Sequence, residues 1–341
     1  MSEVRYFAQD SNMVKIMVAE ARHESIDSDQ REKAHSKIME LFAHPSPENR
    51  YAVAEIIGFG VNEIRRTAEN NWLPNIADVK VVNFGVHPQF QCRLEGVRAY
   101  HQAKGSTTER SKIANKAMIL STELITCRPS INIVEAQNGQ VDMGALINDA
   151  AYQMELEELK YYQEVLLAGV GSTFRSPYYG YGPDVDKQVF DPMLRHWMRM
   201  SNGAAPAILG DVEEIHKVVE LTGFTADPTT GAKQFNDGII GDFYRTGRLG
   251  NYLGASVINL MNPVVDGTDE FVFNRKFVFI LPTFIDPTMR PLKVVKEGGI
   301  QRMEATDIDD RSFDVCLDEY VGAALVTGDR PYLSIYEDKS L

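Results

Sequence analysis

Between Asp142 and Ala168 the apolar residues Met143, Leu146, Ile147, Ala150, Met154, Leu159, Tyr162, Val165 and Leu166 recur at steps of mostly three and four. That spacing marks one face of an α-helix, and a helix over 142–168 would be about 40 Å long at 1.5 Å per residue. Upstream, the same periodicity predicts shorter helices over Val14–Ala21, Ser28–Phe42 and Pro47–Glu69. Ser46 stands at the N-cap of the third and Pro47 at its first position, where a missing N–H costs nothing. From Val79 the texture changes to alternation: VKVVNFGV, QFQCRL and VRAYHQA, broken by Gly85, Pro88 and Gly96, read as strands. After the polar loop KGSTTERSK, the segments AMILSTELIT and SINIVEA read as two more strands, and Asn138-Gly139 turns the chain into the long helix.

Beyond the long helix, Gly169-Val-Gly171 ends the helical pattern, and the Gly-, Pro- and Tyr-rich segment STFRSPYYGYGPD marks a crossing into a second unit near residue 190. Pro206–Leu209 reads as a short strand, and Asp211 with Glu214 three residues later forms a capping box for a helix ended by Thr222-Gly223. GASVINLMNP, FVFNRKFVFILP, PLKVVKEGG, DVCLDEYVGAALV and YLSIYED then read as strands. The fold class is therefore α+β.

A chain of 341 residues, 44% hydrophobic, can bury a substantial core, and its net charge of −13 argues against a protein that grips nucleic acid through clustered Lys and Arg. The same charge suits a wall that encloses nucleic acid without sticking to it. Cys92, Cys127 and Cys316 are far apart in sequence and suggest reduced thiols. The polar start MSEVRYFAQD has no apolar stretch of signal-peptide length, so residence in a cytoplasm is expected, and no segment reads as a membrane span.

Candidate chemistry is sparse. The glycine-rich stretch Asp237–Val257 has neither GxxxxGK[ST] nor GxGxxG, and GVGSTF is not a GxSxG elbow. The seven histidines are dispersed, with His216 on a helix and no HExxH, so no metal, cofactor or catalytic residue is expected. Asp307, Asp309, Asp310, Asp314 and Asp318 miss the EF-hand spacing and read as a solvated acidic turn. One charge pattern stands out. The loop-bearing arm carries Arg98, Lys104, Arg110, Lys112 and Lys116 against Glu109, whereas the long helix carries Asp142, Asp149, Glu155, Glu157, Glu158 and Glu164 against Lys160. The arm has too few paired apolar residues to bury itself, so a neighbouring subunit is expected to cover it, basic arm over acidic helix.

The succession of polar-centred arm, long helix and later strands resembles the major capsid proteins of tailed bacteriophages, the family with the Hong Kong 97 fold. That resemblance covers about residues 71–341. It implies an N-terminal helical arm over 1–70 that ties subunits together and an extended hairpin, the E-loop, over 71–128. It further implies a peripheral domain with its spine helix over 129–190, an axial domain over 191–295 that opens with PAILGDVEEIHKVVELTG, and returning strands over 296–341. The implied function is a non-enzymatic capsid subunit that assembles with itself into the hexamers and pentamers of an icosahedral shell around double-stranded DNA. A portal, and in some members scaffold or decoration proteins, would be its partners. Fitting one chain into both capsomers implies hinges at the base of the E-loop, near Gly85 and Gly96. The alternatives are an encapsulin-type compartment shell, a tail or connector protein, and a small-ligand α+β enzyme.

Overall fold

A computed structural model describes residues 12–22, 24–44, 46–95, 114–168, 176–201, 206–220, 251–260, 262, 264, 270–282, 290–307, 311–326 and 333–340. Three helices open the chain: α1 (Asn12–Ala21), α2 (Ser28–Ala43) and α3 (Pro47–Ile76). Caps explain where the second and third begin. The Asp27 side chain accepts from the Asp29 N–H, and the Ser46 hydroxyl accepts from the Asn49 N–H at 3.2 Å. Strand β1 (Ala77–Val82) follows, then the hairpin β2 (Gln89–Glu95) and β3 (Ala114–Ile119), then β4 (Glu123–Cys127) and β5 (Ser130–Asn132).

The alternation in SINIVEA does not persist. Only Ser130–Asn132 is extended, and α4 (Ile133–Gln137) takes over because the Asn132 side chain accepts from the N–H groups of Val134 (2.9 Å) and Glu135 (3.4 Å). Gly139 at φ +71° sits in the left-handed region that ends such a turn. The long helix α5 (Met143–Leu167) starts where its pattern does, with Asp142 Oδ1 accepting from the Ala145 N–H at 2.9 Å. Gly169-Val-Gly171 lies outside the described residues.

The second unit comprises β6 (Tyr179–Gly182), α6 (Lys187–Met200), β7 (Pro206–Asp211), α7 (Val212–Glu220), β8 (Asn251–Tyr252), β9 (Ala255–Leu260) and β10 (Phe277–Pro282). Asp211 Oδ1 accepts from the Glu213 N–H at 2.9 Å and caps the helix at its predicted start, whereas the Glu214 carboxylate of the predicted capping box lies 2.9 Å from Lys217 Nζ. In FVFNRKFVFILP only the second half is a strand; Phe271 makes an isolated bridge to Val264. The chain then runs through β11 (Leu292–Asp307), β12 (Ser312–Leu325) and β13 (Ser334–Asp338).

Two sheets organise these strands. A five-stranded sheet has the order β1-β11-β12-β4, with β5 also on β12, and β1 runs parallel to β11. A six-stranded sheet has the order β6-β13-β10-β7-β9-β8. The crossing between units therefore precedes β6, and position 190 falls inside α6 rather than at a boundary. The C-terminal strands also divide: β11 and β12 return to the first sheet, and β13 joins the second. The two units share apolar contacts, since Tyr162 and Leu166 of α5 cluster with Leu209, Phe279, Leu281 and Ile335.

The N-terminal helices, expected to form an arm that ties subunits together, also pack within their own chain. Met17, Ile57 and Val61 are fully buried and cluster with Ile147, Ala150 and Met154 of α5 and with Phe313 of β12. Their apolar faces find enough partners within the same chain. Asp314 and Asp318 likewise depart from a solvated turn: both are buried on β12, and Asp314 is ion-paired with Arg128. Asp309 and Asp310 lie outside the described residues.

Candidate inter-subunit surface and the network beneath it

The spine of the first unit is α5, and its two sides carry different chemistry. Its inner face buries Met143, Ile147, Ala150, Met154, Tyr162 and Leu166. Glu158 lies on that same stripe, four residues from Met154 and from Tyr162, and is only 3% exposed. This corrects the expectation that Glu158 faces a neighbouring subunit. It belongs to an internal network with Arg65 of α3, Lys296 of β11 and Glu319 of β12, each 5% exposed or less.

Arg65 bridges Glu158 and Glu319 through its two terminal nitrogens. Lys296 Nζ lies 2.6 Å from Glu158 Oε1 and 3.6 Å from Glu319 Oε1, and the Tyr162 hydroxyl donates to Glu158 Oε1. Two cations and two anions thus compensate one another where water is excluded. Burial alone would raise the Glu158 carboxyl, but Lys296 and Arg65 outweigh it and hold it below the usual carboxylate range. Glu155, half-buried beside the network, is pushed up by burial.

The outer face of α5 is different. Glu157 and Glu164 are exposed, with Lys160 at 3.9 Å from Glu157. Between this face and β4 runs a groove of about 500 Å³ whose walls include Leu124, Thr126, Glu157, Tyr161, Glu164 and Val321. Leu124 is 49% exposed, and β4 pairs only with β12 among the described strands. The groove therefore combines an acidic wall, an exposed leucine and a strand edge that no other described strand pairs. Of the acidic residues singled out from sequence, Glu157 and Glu164 are brought together here, Glu155 turns inward and Glu158 is internal.

The hairpin carries the other half of the charge pattern. Strands β2 and β3 pair antiparallel from Gln89 opposite Ile119 to Glu95 opposite Ala114, forming a separate two-stranded sheet. Lys116 lies on β3 opposite Cys92; its side chain is outside the described residues, as are Arg98, Lys104, Arg110, Lys112 and the hinge candidate Gly96. Phe90, 1% exposed, clusters with Leu120 and Val295, while Lys80 Nζ donates to the Gln89 carbonyl at 2.6 Å and lies 4.5 Å from the centre of the Phe90 ring. Gly85 has φ +80° in the turn between β1 and β2, with no heavy atom within 4 Å of where a Cβ would stand.

Sequence reasoning missed Arg65, Lys296 and Glu319. Glu158 carried a readable signal, a charge in step with Met154 and Tyr162 on an apolar stripe, but its partners come from three other elements and no local spacing links them. Other chemistry stays thin. His216 is exposed on α7, and among the described residues no group of three or more His, Cys, Asp and Glu side chains could hold a metal ion. Cys127 and Cys316 are free thiols on adjacent strands, half-buried, and burial pushes the Cys127 thiol up. No helix among the described residues is long and apolar enough to cross a membrane.

Comparison with solved structures returns bacteriophage proteins and a virus-like particle. The head of Helicobacter pylori bacteriophage KHP40 aligns at 11% identity over 78% of this chain and 88% of that one, with a TM-score of 0.49. A structure from Mycobacterium phage Adephagia aligns at 12% identity over 76% and 88%, with a TM-score of 0.48. A virus-like particle from Pyrococcus furiosus aligns at 11% identity over 81% and 96%, with a TM-score of 0.45. No curated protein matches the chain. A family profile does, over residues 1–334, and the chain belongs to that family, described as "SPbeta prophage-derived putative capsid protein YonB".

Proposed function

We propose that this chain is the major capsid protein of a tailed double-stranded DNA bacteriophage, a subunit of the Hong Kong 97 type that assembles into the hexamers and pentamers of an icosahedral shell. The observation that carries this reading is membership of a prophage capsid family over residues 1–334. That description favours a phage shell over an encapsulin-type compartment. The order of elements supports the subunit type: a hairpin that forms its own two-stranded sheet, a long helix, a second sheet entered after it, and strands that return to the first sheet. In this reading the first unit is the peripheral domain and the second the axial domain. The role is structural, the shell is the site of action, and portal, scaffold or decoration proteins are its partners.

The inter-subunit contact follows from charge. The hairpin, with Lys116 on β3 and Arg98, Lys104, Arg110 and Lys112 in the sequence between β2 and β3, docks over the acidic groove between α5 and β4 of a neighbouring subunit, where Glu157 and Glu164 receive it. Such rim charges steer encounter and fix orientation more than they add affinity, so the contact weakens with salt. Many such contacts per subunit close the shell without any one being strong. Bending near Gly85 and Gly96 would fit the same hairpin to both capsomers.

Negative-stain electron microscopy of the purified protein tests the reading. Closed shells, or rings of five and six subunits, are the expected result. A monomer or dimer that fails to assemble across salt and concentration would overturn it, and tubes alone would point to a tail or connector protein.

A further inference from the structure

Glu297 takes no part in either charge pattern, yet it is a carboxylate only 4% exposed. It stands on β11 opposite Val82 of β1 and Tyr320 of β12. Side chains alternate along a strand, so Lys296 points to the helices and their ion network, while Val295 and Glu297 point to the side where the hairpin leaves. Glu297 Oε2 accepts from the Gly85 N–H at 3.4 Å. Its Oε1 accepts from the Thr122 hydroxyl at 3.3 Å and lies 3.5 Å from His87 Nδ1, whose ring is largely exposed. Gly85 and His87 belong to the segment that enters the hairpin, and Thr122 to the segment that leaves it. One side chain therefore reaches both roots.

A second anchor sits two residues away, where Val295 packs against Phe90 and Leu120. One contact alone would leave the hairpin free to pivot about it; two contacts define an angle. The turn at the root is shaped to match. The Val86 N–H donates to the Asn83 carbonyl at 3.1 Å, and Phe84 meets Tyr320 edge-on at 5.2 Å. Immediately after Glu297 the β11–β12 register shifts at Gly298 and Gly299, both with positive φ, and a Cβ on Gly298 would sit 3.6 Å from Phe84. These glycines let β11 bulge beneath the turn.

We infer that Glu297 is a latch that sets the angle at which the hairpin β2–β3 leaves the five-stranded sheet. The three contacts it makes among the described residues are long, 3.3 to 3.5 Å, so they hold the carboxylate weakly while the hairpin is docked, and the carboxylate regains water when the root opens. The latch holds a preferred angle and remains releasable. Its consequence for particle shape rests on the shell-forming role proposed above; its action on the hairpin does not.

Amide hydrogen exchange on the unassembled subunit tests the latch, comparing wild type with Glu297→Ala and Thr122→Val. Glu297→Ala should speed exchange of residues 83–90 and 117–123 at least tenfold and leave 142–168 unchanged. Thr122→Val, which cuts only the second root, should speed 117–123 alone. Unchanged exchange at both roots, or equal acceleration throughout α5, would overturn the latch. If Glu297→Ala does not fold, the Thr122→Val comparison decides by itself. Because exchange is read before assembly, a loosened hairpin in a protein that never forms shells counts against the shell role alone, and normal shells with unchanged exchange count against the latch alone.

Discussion

Removing Glu158 should cost far more than an ordinary surface carboxylate. In the folded subunit two cations, Arg65 and Lys296, and two anions, Glu158 and Glu319, are buried together at 5% exposure or less. Glu158→Ala removes one of the two carboxylates of this group while both cations remain, with Glu319 the other anion among the four, and it takes away the Glu158 oxygen to which the Tyr162 hydroxyl donates. Breaking a buried pair in this way costs about 3–5 kcal/mol, which is roughly a 150- to 5,000-fold loss in the folding equilibrium at 1.36 kcal/mol per decade. Urea unfolding of the unassembled subunit reads this as a lowered midpoint with the slope unchanged. A double-mutant cycle sharpens the test: Glu158→Ala with Lys296→Ala removes one charge of each sign, so its cost should fall well short of the sum of the single changes. The sign with pH also follows. The Glu158 carboxyl is held below its usual range, so its contribution is full above the unfolded carboxylate value and fades as pH falls below it. A Glu158→Ala protein within about 1 kcal/mol of wild type, or strictly additive changes, would refute the network.

Four further outcomes are expected. Gly60→Ala should destabilise the fold by about 1–3 kcal/mol despite alanine's better helix propensity, because its Cβ would stand 2.9 Å from Ile147 Cγ2; thermal unfolding checks it. In the second unit, burial would raise Asp338, but Lys217 and Ser340 outweigh it and hold the carboxyl down at about 2. Stability from Asp338 should therefore be full above the ordinary Asp value near 4 and be lost as pH falls towards about 2, and Asp338→Asn should flatten the pH dependence of the urea midpoint in that window. Reversing Glu157 and Glu164 to Lys should slow assembly and remove most of its salt dependence, read by light scattering, with the monomer's stability within about 0.5 kcal/mol of wild type. Glu297→Ala shells should show a broader range of diameters by electron microscopy than wild-type shells.

Local chemistry made several helix starts legible. Ser46 precedes Pro47 at the start of α3 and Asp211 opens α7 as the sequence reads, while Asp142, read as part of the long helix, is its cap; a side-chain oxygen reaching an N–H two or three residues on is a purely local event. The same local rule was overlooked at Asn132, where alternation suggested a strand and a capping asparagine began a helix. The acidic face of α5 was half readable. Period identified the stripe, but Glu157 and Glu158 are adjacent in sequence, and one is exposed while the other is in the core.

By itself the sequence determined the α+β class, the long helix, the order of elements and the opposite charges of hairpin and helix, all set by periodicity, caps and composition within short windows. Tertiary structure alone decided that α1–α3 pack into the main core, that β11–β12 and β13 return to different sheets, and that Arg65, Glu158, Lys296 and Glu319 meet. The reason is physical. A buried charge is stable only where an opposite charge arrives to replace water, and here the partners come from residues 65, 158, 296 and 319, brought together by sheet pairing and helix packing across most of the chain. The same holds for Glu297, whose neighbours Gly85 and Thr122 are defined by where the hairpin's two ends rejoin the sheet.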